Sequence, residues 1–215
     1  MIKIVEAFNQ TAQSYDSWYD HPQGKQVLEA EINAVQHMIP SKGIGLEVGA
    51  GTGVFAKGLR GPDRPIICLD PSKEMLSKSV ERCNYVILGS GENIPLRPVI
   101  SFTYMVAVLE FIQDPNRVFM EAKRTTKNGS LIILFINAES LWGKFYRNLG
   151  SKGDPVFRHA HLYSMENVTK LLSHSGYKIQ KMIGTLTTGP MDEKVGGEIV
   201  EPDSSSGVIV LKAIS

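Results

Sequence analysis

The residues best placed to do chemistry are three alternate glycines, Gly49, Gly51 and Gly53, which follow the short segment Leu46–Val48. A strand that runs into such a turn, with a helix behind it, presents backbone N–H groups to a ligand where a Cβ atom would collide. This arrangement is typical of a nucleotide-type cofactor site at the carboxyl end of a parallel strand. The sequence therefore predicts a cofactor site at this turn.

Two carboxylates near the glycine turn indicate which cofactor the site binds. Asp70 ends the next predicted strand, where an acid can accept hydrogen bonds from both hydroxyls of a ribose. Glu47 precedes the first glycine by two residues, where its charge would repel a pyrophosphate and suit a cationic group such as an amino-acid ammonium. The dinucleotide pattern G-x-G-x-x-G, counted from Gly49, fails because Val54 stands in place of the third glycine. An NAD(P)-dependent oxidoreductase is therefore the weaker alternative.

Apolar strands and amphipathic helices alternate through the middle of the chain. Ser72 is a predicted N-cap, and Asp114 followed by Pro115 is another. The predicted strands cover residues 44–48, 65–69, 85–88, 102–108, 131–136, 177–186 and 208–213. Alternation of this kind indicates a parallel sheet with right-handed crossovers.

The composition indicates which binding partners and which cellular compartment to expect. The 215 residues have a net charge of +1, so no strong basic field indicates binding to nucleic acid or to an acidic membrane. No segment approaches the ~20 apolar residues of a membrane helix. Cys68 and Cys83 lie in unrelated segments, which argues against a disulfide and is typical of a reducing compartment. We therefore expect a cytoplasmic protein without nucleic-acid or membrane partners.

Five stretches, in this order, make the chain resemble the class I S-adenosylmethionine-dependent methyltransferases of the broad small-molecule group. They are residues 46–53, 69–76, 89–96, 105–111 with 114–115, and 127–131. The resemblance is detailed over about residues 40–136 and extends to the rest only in layout. It implies an α/β fold, a doubly wound Rossmann-like sheet of seven strands with the last antiparallel and helices on both faces. It also implies S-adenosylmethionine as cofactor and methyl transfer to a small-molecule acceptor by in-line displacement.

We expect a single methyltransferase domain over residues 1–215. Its expected parts are an N-terminal helical cap (1–40), a cofactor-binding half (41–136), a substrate-side insertion (137–163), and a C-terminal helix with the final two strands (164–215).

The resemblance assigns the cofactor contacts to the ends of the first four strands. Glu47 would lie near the methionine ammonium, Asp70 would hold the ribose hydroxyls, and Tyr15 or Trp18 would cover the cofactor. The other expected contacts are Gly49, Ala50, Gly51 and Gly53 along the methionine and ribose, Pro71 and Met75 beside the ribose and adenine, Gly91, Glu92 and Asn93 at the adenine edge, and Val106 with Ala107 below the sulfur.

Two serines depart from the family pattern. Ser90 stands where an acid often reads the adenine amino group, and Ser101 stands where an acid often opens the fourth strand. These departures leave open a second alternative, a methyltransferase-fold module that binds the cofactor without catalysis. Glu110, beyond the fourth strand, is interpreted as a surface residue or as part of the entry to a helix.

The sequence identifies no single general base. His159, His161 and Tyr163 are the candidates, because they fall in the insertion expected to face the acceptor. His159 and His161 could share one face of a strand, but no third ligand stands at a tight spacing, so no metal site is predicted. Trp142 and Tyr146 are separated by one helical turn, which predicts an amphipathic helix.

Overall fold

The strands of the computed structural model form one mixed sheet. The model describes residues 2–215, apart from the side chains of residues 2, 127 and 128. The strands are β1 (Gly45–Val48), β2 (Ile66–Asp70), β3 (Tyr85–Leu88), β4 (Ile100–Val106), β5 (Thr126–Ile136), β6 (Lys178–Thr185) and β7 (Val208–Ile214). Their order is β3-β2-β1-β4-β5-β7-β6, and β7 runs antiparallel to both of its neighbours while β1 to β5 are parallel. The predicted seven-stranded sheet with an antiparallel last strand is confirmed.

Helices cover both faces of this sheet. They are α1 (Ile2–Thr11), α2 (Pro22–Gln36), α3 (Val54–Leu59), α4 (Lys73–Ser79), α5 (Pro115–Thr125), α6 (Leu141–Ser151) and α7 (Met165–His174), with short 3-10 turns at Tyr15–Asp20, Leu109–Phe111 and Phe157–His159. Side chains of β4 alternate between the two cores: Tyr104 packs with α2 and α3, and Met105 packs with α5 and α7. Among the described residues, no helix has the length and apolar character needed to cross a membrane.

The predicted caps fix where two helices begin. The Ser72 hydroxyl accepts a hydrogen bond from the Met75 N–H at 3.2 Å, and Asp114 accepts one from the Arg117 N–H at 3.1 Å. Each cap satisfies a backbone donor that has no partner within its helix. The strand-to-helix turns are therefore held at the carboxyl edge of the sheet.

The two cysteines form a disulfide. Cys68 in β2 is bonded to Cys83 just before β3, with their Cα atoms 6.1 Å apart. The expectation of two separate thiols was wrong, because the α4 crossover returns the chain beside β2, where β3 pairs with it.

The N-terminal segment lies over the carboxyl edge of the sheet and is fastened to it at several points. The Ser72 hydroxyl donates a hydrogen bond to Asn9 Oδ1 at 2.6 Å, and Lys78 Nζ donates one to the Gln13 carbonyl at 3.1 Å. Asp16 accepts a hydrogen bond from Thr52, in the turn after β1. These contacts position α1 above the ends of the strands.

Candidate active site

The glycine turn after β1 has the geometry that the sequence predicts. Gly49, Gly51 and Gly53 have φ angles of 73°, 54° and 75°, values that L side chains rarely adopt. A Cβ atom on Gly49 would collide with the side chain of Val108, whereas one on Gly51 would meet no atom within 4 Å. The turn therefore needs glycine for its backbone and leaves space for a ligand at Gly51.

Asp70 braces this turn from the end of β2. Its Oδ2 accepts a hydrogen bond from the Gly51 N–H at 2.8 Å, and its Oδ1 accepts one from the Ser72 N–H at 2.7 Å. Burial raises the pKa of Asp70, and the two backbone hydrogen bonds oppose that rise. Each carboxylate oxygen keeps a further lone pair, so the group can still accept hydrogen bonds from ligand hydroxyls.

A groove, called here the Asp70 groove, runs along the ends of the strands beneath α1. Its lining residues are Ile4, Val5, Phe8, Val48, Gly49, Asp70, Pro71, Ser90, Gly91, Glu92, Val108, Phe111 and Ile112. Five of the residues expected to contact the cofactor meet in this groove: Gly49, Asp70, Pro71, Gly91 and Glu92.

Other expected contacts lie outside this lining. Met75 and Val106 are buried in the core, Ala50 packs against the α2 and α3 side, and Asn93 is exposed. Gly53 caps α3. These assignments remain expectations about the bound state.

Glu92 supplies a carboxylate beside Ser90. The Ser90 hydroxyl donates a hydrogen bond to Glu92 Oε2, and the Glu92 N–H donates one to Ser90 Oγ at 3.2 Å. An acid is therefore present at this wall of the groove, two residues after the position where the family pattern has one. Ser101 has a separate role, since its hydroxyl accepts a hydrogen bond from the Ile44 N–H at 3.1 Å where β1 begins.

A second cavity, called here the aromatic cavity, adjoins the Asp70 groove and has a volume of about 270 Å³. It shares Phe8 and Phe111 with the groove. Its lining residues are Phe8, Thr11, Tyr15, Trp18, Tyr19, Val27, Glu31, Ala107, Phe111, Ile136, Trp142, Tyr146, Asp154, Pro155, Val156, Phe157, Leu186 and Val208. The N-terminal segment, α2, α6 and the ends of β4 to β7 thus enclose one apolar space.

The aromatic rings of the cavity form a contiguous wall. Phe8 and Phe111 meet edge to face with centroids 5.2 Å apart, and Tyr146 stacks on Phe157 at 4.3 Å. Trp142 is fixed by a hydrogen bond from its indole Nε1 to the Thr188 carbonyl at 2.8 Å. Aromatic pairs with these geometries are mutually stabilising.

Glu31 is a carboxylate inside this wall that the sequence analysis missed. Its side chain lines the cavity, the residue is only 7% exposed, and no residue that the structure describes donates a hydrogen bond to its carboxylate. Burial, together with the nearby Glu110 carboxyl, raises the pKa of Glu31 to about 8. The available signal was an acid on the apolar face of α2, one turn after Val27.

The backbone is strained at the same cavity. Among the described residues, Ala107 and Leu186 are the non-glycine residues with positive φ, at 48° and 57°, and both line the aromatic cavity. Such conformations cost about 1–3 kcal/mol each and concentrate at functional sites. Their coincidence here supports a functional role for the cavity.

The residues proposed from the sequence as general bases lie elsewhere. His159 contacts Arg158 in the 3-10 turn, His161 is exposed, and Tyr163 is buried on the face covered by α5 and α7. None of these three side chains lines the aromatic cavity, to which Phe157 contributes from the same turn.

Two buried acids stand close to the site without lining it. Glu47 Oε2 accepts a hydrogen bond from the Tyr104 hydroxyl at 2.9 Å, and burial raises the pKa of Glu47 to about 8. Glu110 is 1% exposed, and its Oε1 accepts a hydrogen bond from the Ile136 N–H at 2.6 Å. The surface interpretation of Glu110 was wrong, because the segment after β4 folds back onto the end of β5; Glu110 lies instead in the 3-10 turn Leu109–Phe111.

Comparison with known proteins identifies the family. The family model described as a methyltransferase domain matches residues 46–134. An uncharacterised protein of Methanocaldococcus jannaschii is 33% identical over 211 residues, covering 97% of this chain and 98% of the relative. A crystal structure from Thermotoga maritima, described as a SAM-dependent methyltransferase and possible histamine N-methyltransferase, superposes with a TM-score of 0.87 at 27% identity, covering 98% of this chain and 99% of that one. The chain belongs to the class I S-adenosylmethionine-dependent methyltransferases.

A more distant relative is the malonyl-[acyl-carrier protein] O-methyltransferase of Buchnera aphidicola. It is 27% identical over 156 residues, covering 69% of this methyltransferase and 61% of the relative. The family assignment decides between the cofactors that the glycine turn left open, in favour of S-adenosylmethionine. The site fits that cofactor, because the turn is open at Gly51 and Asp70 retains free lone pairs in a groove with apolar walls.

Proposed function

We propose that this methyltransferase modifies a small-molecule acceptor held in the aromatic cavity, with the cofactor held in the Asp70 groove. The observation that carries the proposal is the adjacency of the two spaces, which share Phe8 and Phe111. The volume of about 270 Å³ suits a small organic molecule.

The cofactor contacts follow from the lining of the groove. Asp70 would accept hydrogen bonds from the ribose hydroxyls, and Glu92, with Ser90, would face the adenine edge. Gly49 and Gly51 would allow close approach of the methionine part. Glu47, which is buried behind the glycine turn and hydrogen-bonded to Tyr104, would lie near the methionine ammonium.

Bound S-adenosylmethionine supplies an electrophilic methyl group on a positively charged sulfur. The chain's own contribution is alignment and exclusion of water, which can be worth ~7–11 kcal/mol when an acceptor is held in line. Burial raises the pKa of Tyr15 to about 12 and holds the pKa of Tyr19 and Tyr146 well above the ordinary value. The tyrosines are therefore neutral dipoles at physiological pH, and Glu31 is the candidate proton acceptor inside the cavity.

Calorimetric titration with S-adenosylhomocysteine, followed by a release assay for that product over a panel of small acceptors, tests the proposal. We expect micromolar binding and turnover with at least one acceptor. Binding without turnover on any acceptor would favour the module without catalysis, and turnover only on a macromolecule would contradict the proposal.

A further inference from the structure

We infer that the acceptor is a primary or secondary amine, bound as its ammonium form against the Glu31 carboxylate in the aromatic cavity. The inference rests on the proposed function and adds the chemical class of the acceptor and the residue that selects it. It is drawn from the charge, the rings and the unpartnered acid of this cavity.

The ionisable groups of the cavity favour a cation. Its lining contains the carboxylates of Glu31 and Asp154, and none of the residues described as lining it is a lysine, arginine or histidine. A carboxylate ligand would meet like charge in a low-dielectric space, where repulsion is strong. A neutral alcohol would bring no positive charge, so Glu31 would keep its neutral form and no ion pair would form.

The aromatic rings of the cavity also favour a cation. A ring face carries partial negative charge and attracts an ammonium ion, most strongly where both are shielded from water. The ring pairs Tyr15–Tyr19 and Tyr146–Phe157 both line the cavity, the first from the N-terminal segment and the second from the region after β5. A cation in this cavity would therefore lie among aromatic rings as well as near the carboxylate.

Glu31 is a carboxylate that lines the cavity and to which an amine could donate hydrogen bonds. A buried acid without a hydrogen-bond donor is costly, and burial favours its neutral form while the cavity is empty. An ammonium ion brings both N–H donors and the balancing charge. The pair can then exchange one proton: the ammonium becomes a neutral amine with a free lone pair, and the carboxylate becomes a carboxylic acid.

Three probes of nearly equal shape separate the charge classes: 2-phenylethylamine, 2-phenylethanol and 3-phenylpropanoate. Each is titrated into the protein saturated with S-adenosylhomocysteine, and binding is measured by calorimetry. We expect the amine to bind at least about 10-fold more tightly than the alcohol, and the carboxylate to bind most weakly.

The matched variants are Glu31→Gln, which keeps the side-chain shape, and Glu29→Gln, the same change at an exposed position of α2. Glu31→Gln should weaken amine binding by about 10- to 100-fold, as expected for a buried charge-assisted hydrogen bond, and leave alcohol binding unchanged. Glu29→Gln should change neither.

The possible outcomes distinguish failure of the amine inference from failure of the proposed function. Equal binding of amine and alcohol, an unchanged amine affinity in Glu31→Gln, or no amine binding at millimolar concentration would overturn the amine inference. Loss of S-adenosylhomocysteine affinity in Glu31→Gln would also overturn it, since Glu31 would then serve the cofactor. Methylation of a non-amine in the release assay would leave the proposed function standing while the amine class failed.

Discussion

Asp70 holds the glycine turn and the start of α4 with one carboxylate, through Gly51 and Ser72. The same carboxylate lines the Asp70 groove, so its replacement removes both a brace and a ligand contact. We predict that Asp70→Asn weakens S-adenosylhomocysteine binding by about 1–3 kcal/mol, because an amide accepts fewer and weaker hydrogen bonds than a carboxylate. Calorimetry measures the change, with the exposed Asp63→Asn as control. An affinity equal to that of the wild type would contradict the role assigned to Asp70.

The sequence predicted the positions of some site residues and missed others. Gly51 and Asp70 were predictable, because a turn and the end of the next strand are defined by short-range patterns. Glu31 was missed, since its position in the cavity depends on the packing of α2 near Tyr146 and Phe157, which lie more than a hundred residues later. His159 was favoured because it lies in the insertion expected to face the acceptor, but from this segment it is Phe157 that lines the cavity.

At the level of elements, Asp16 fastens the N-terminal segment to the glycine turn. Thr52 Oγ1 donates a hydrogen bond to Asp16 Oδ1 at 2.6 Å, and Arg82 forms an ion pair with Asp16 Oδ2 at 2.7 Å. The ion pair is partly exposed, at 29% and 26% of the two side chains, so its contribution is about 1 kcal/mol.

We predict that Asp16→Asn speeds dissociation of S-adenosylhomocysteine by about 3- to 10-fold, because α1 lines the groove and Asp16 fastens the segment that follows α1 to the glycine turn. Stopped-flow fluorescence of Trp18 follows the release. Asp20→Asn, at an exposed position of the same 3-10 turn, is the control and should leave the rate unchanged. Equal rates in the two variants would show that this contact does not control release.

The disulfide joins β2 to the chain just before β3, across a sequence separation of 15 residues. A cross-link of that span contributes about 3 kcal/mol by restricting the unfolded chain. We predict that Cys83→Ser, or reduction of the wild type, lowers the free energy of unfolding by about that amount in urea titrations. Reductant should have no effect on the variant. Two free thiols in a thiol assay of the denatured, unreduced protein would contradict the pairing.

The sequence predicted the elements more closely than the contacts between them. β3 has the predicted bounds, and β4 begins two residues earlier than predicted, at Ile100. Strand bounds follow from local patterns, whereas long-range contacts do not. The polar segment after β6 illustrates this, since Gln23 and Gln26 of α2 hold it through the Pro190 carbonyl at 2.9 Å and the Val195 N–H at 3.1 Å.

At the level of the whole molecule, three acids are buried near the ends of the central strands. Burial raises the pKa of Glu31 and Glu47 to about 8 and that of Glu110 to about 7. In the unfolded chain these groups titrate near the ordinary value of about 4.3. Between about pH 4.3 and about pH 8 the folded protein therefore binds more protons than the unfolded chain. Its free energy of unfolding must fall as the pH rises through that interval.

We predict that the free energy of unfolding of the ligand-free protein is highest near about pH 5 and decreases toward about pH 8.5, by at most about 1.4 kcal/mol per pH unit for each acid. Urea unfolding across this range measures the slope. Glu47→Gln keeps an oxygen that can accept the Tyr104 hydrogen bond and should make the slope shallower, whereas Glu29→Gln should leave it unchanged. An amine paired with Glu31 lowers the pKa of that acid, so the stabilisation that 2-phenylethylamine confers should grow with pH. Stability that does not fall over this interval in the ligand-free protein would mean that the three acids are already ionised in the fold.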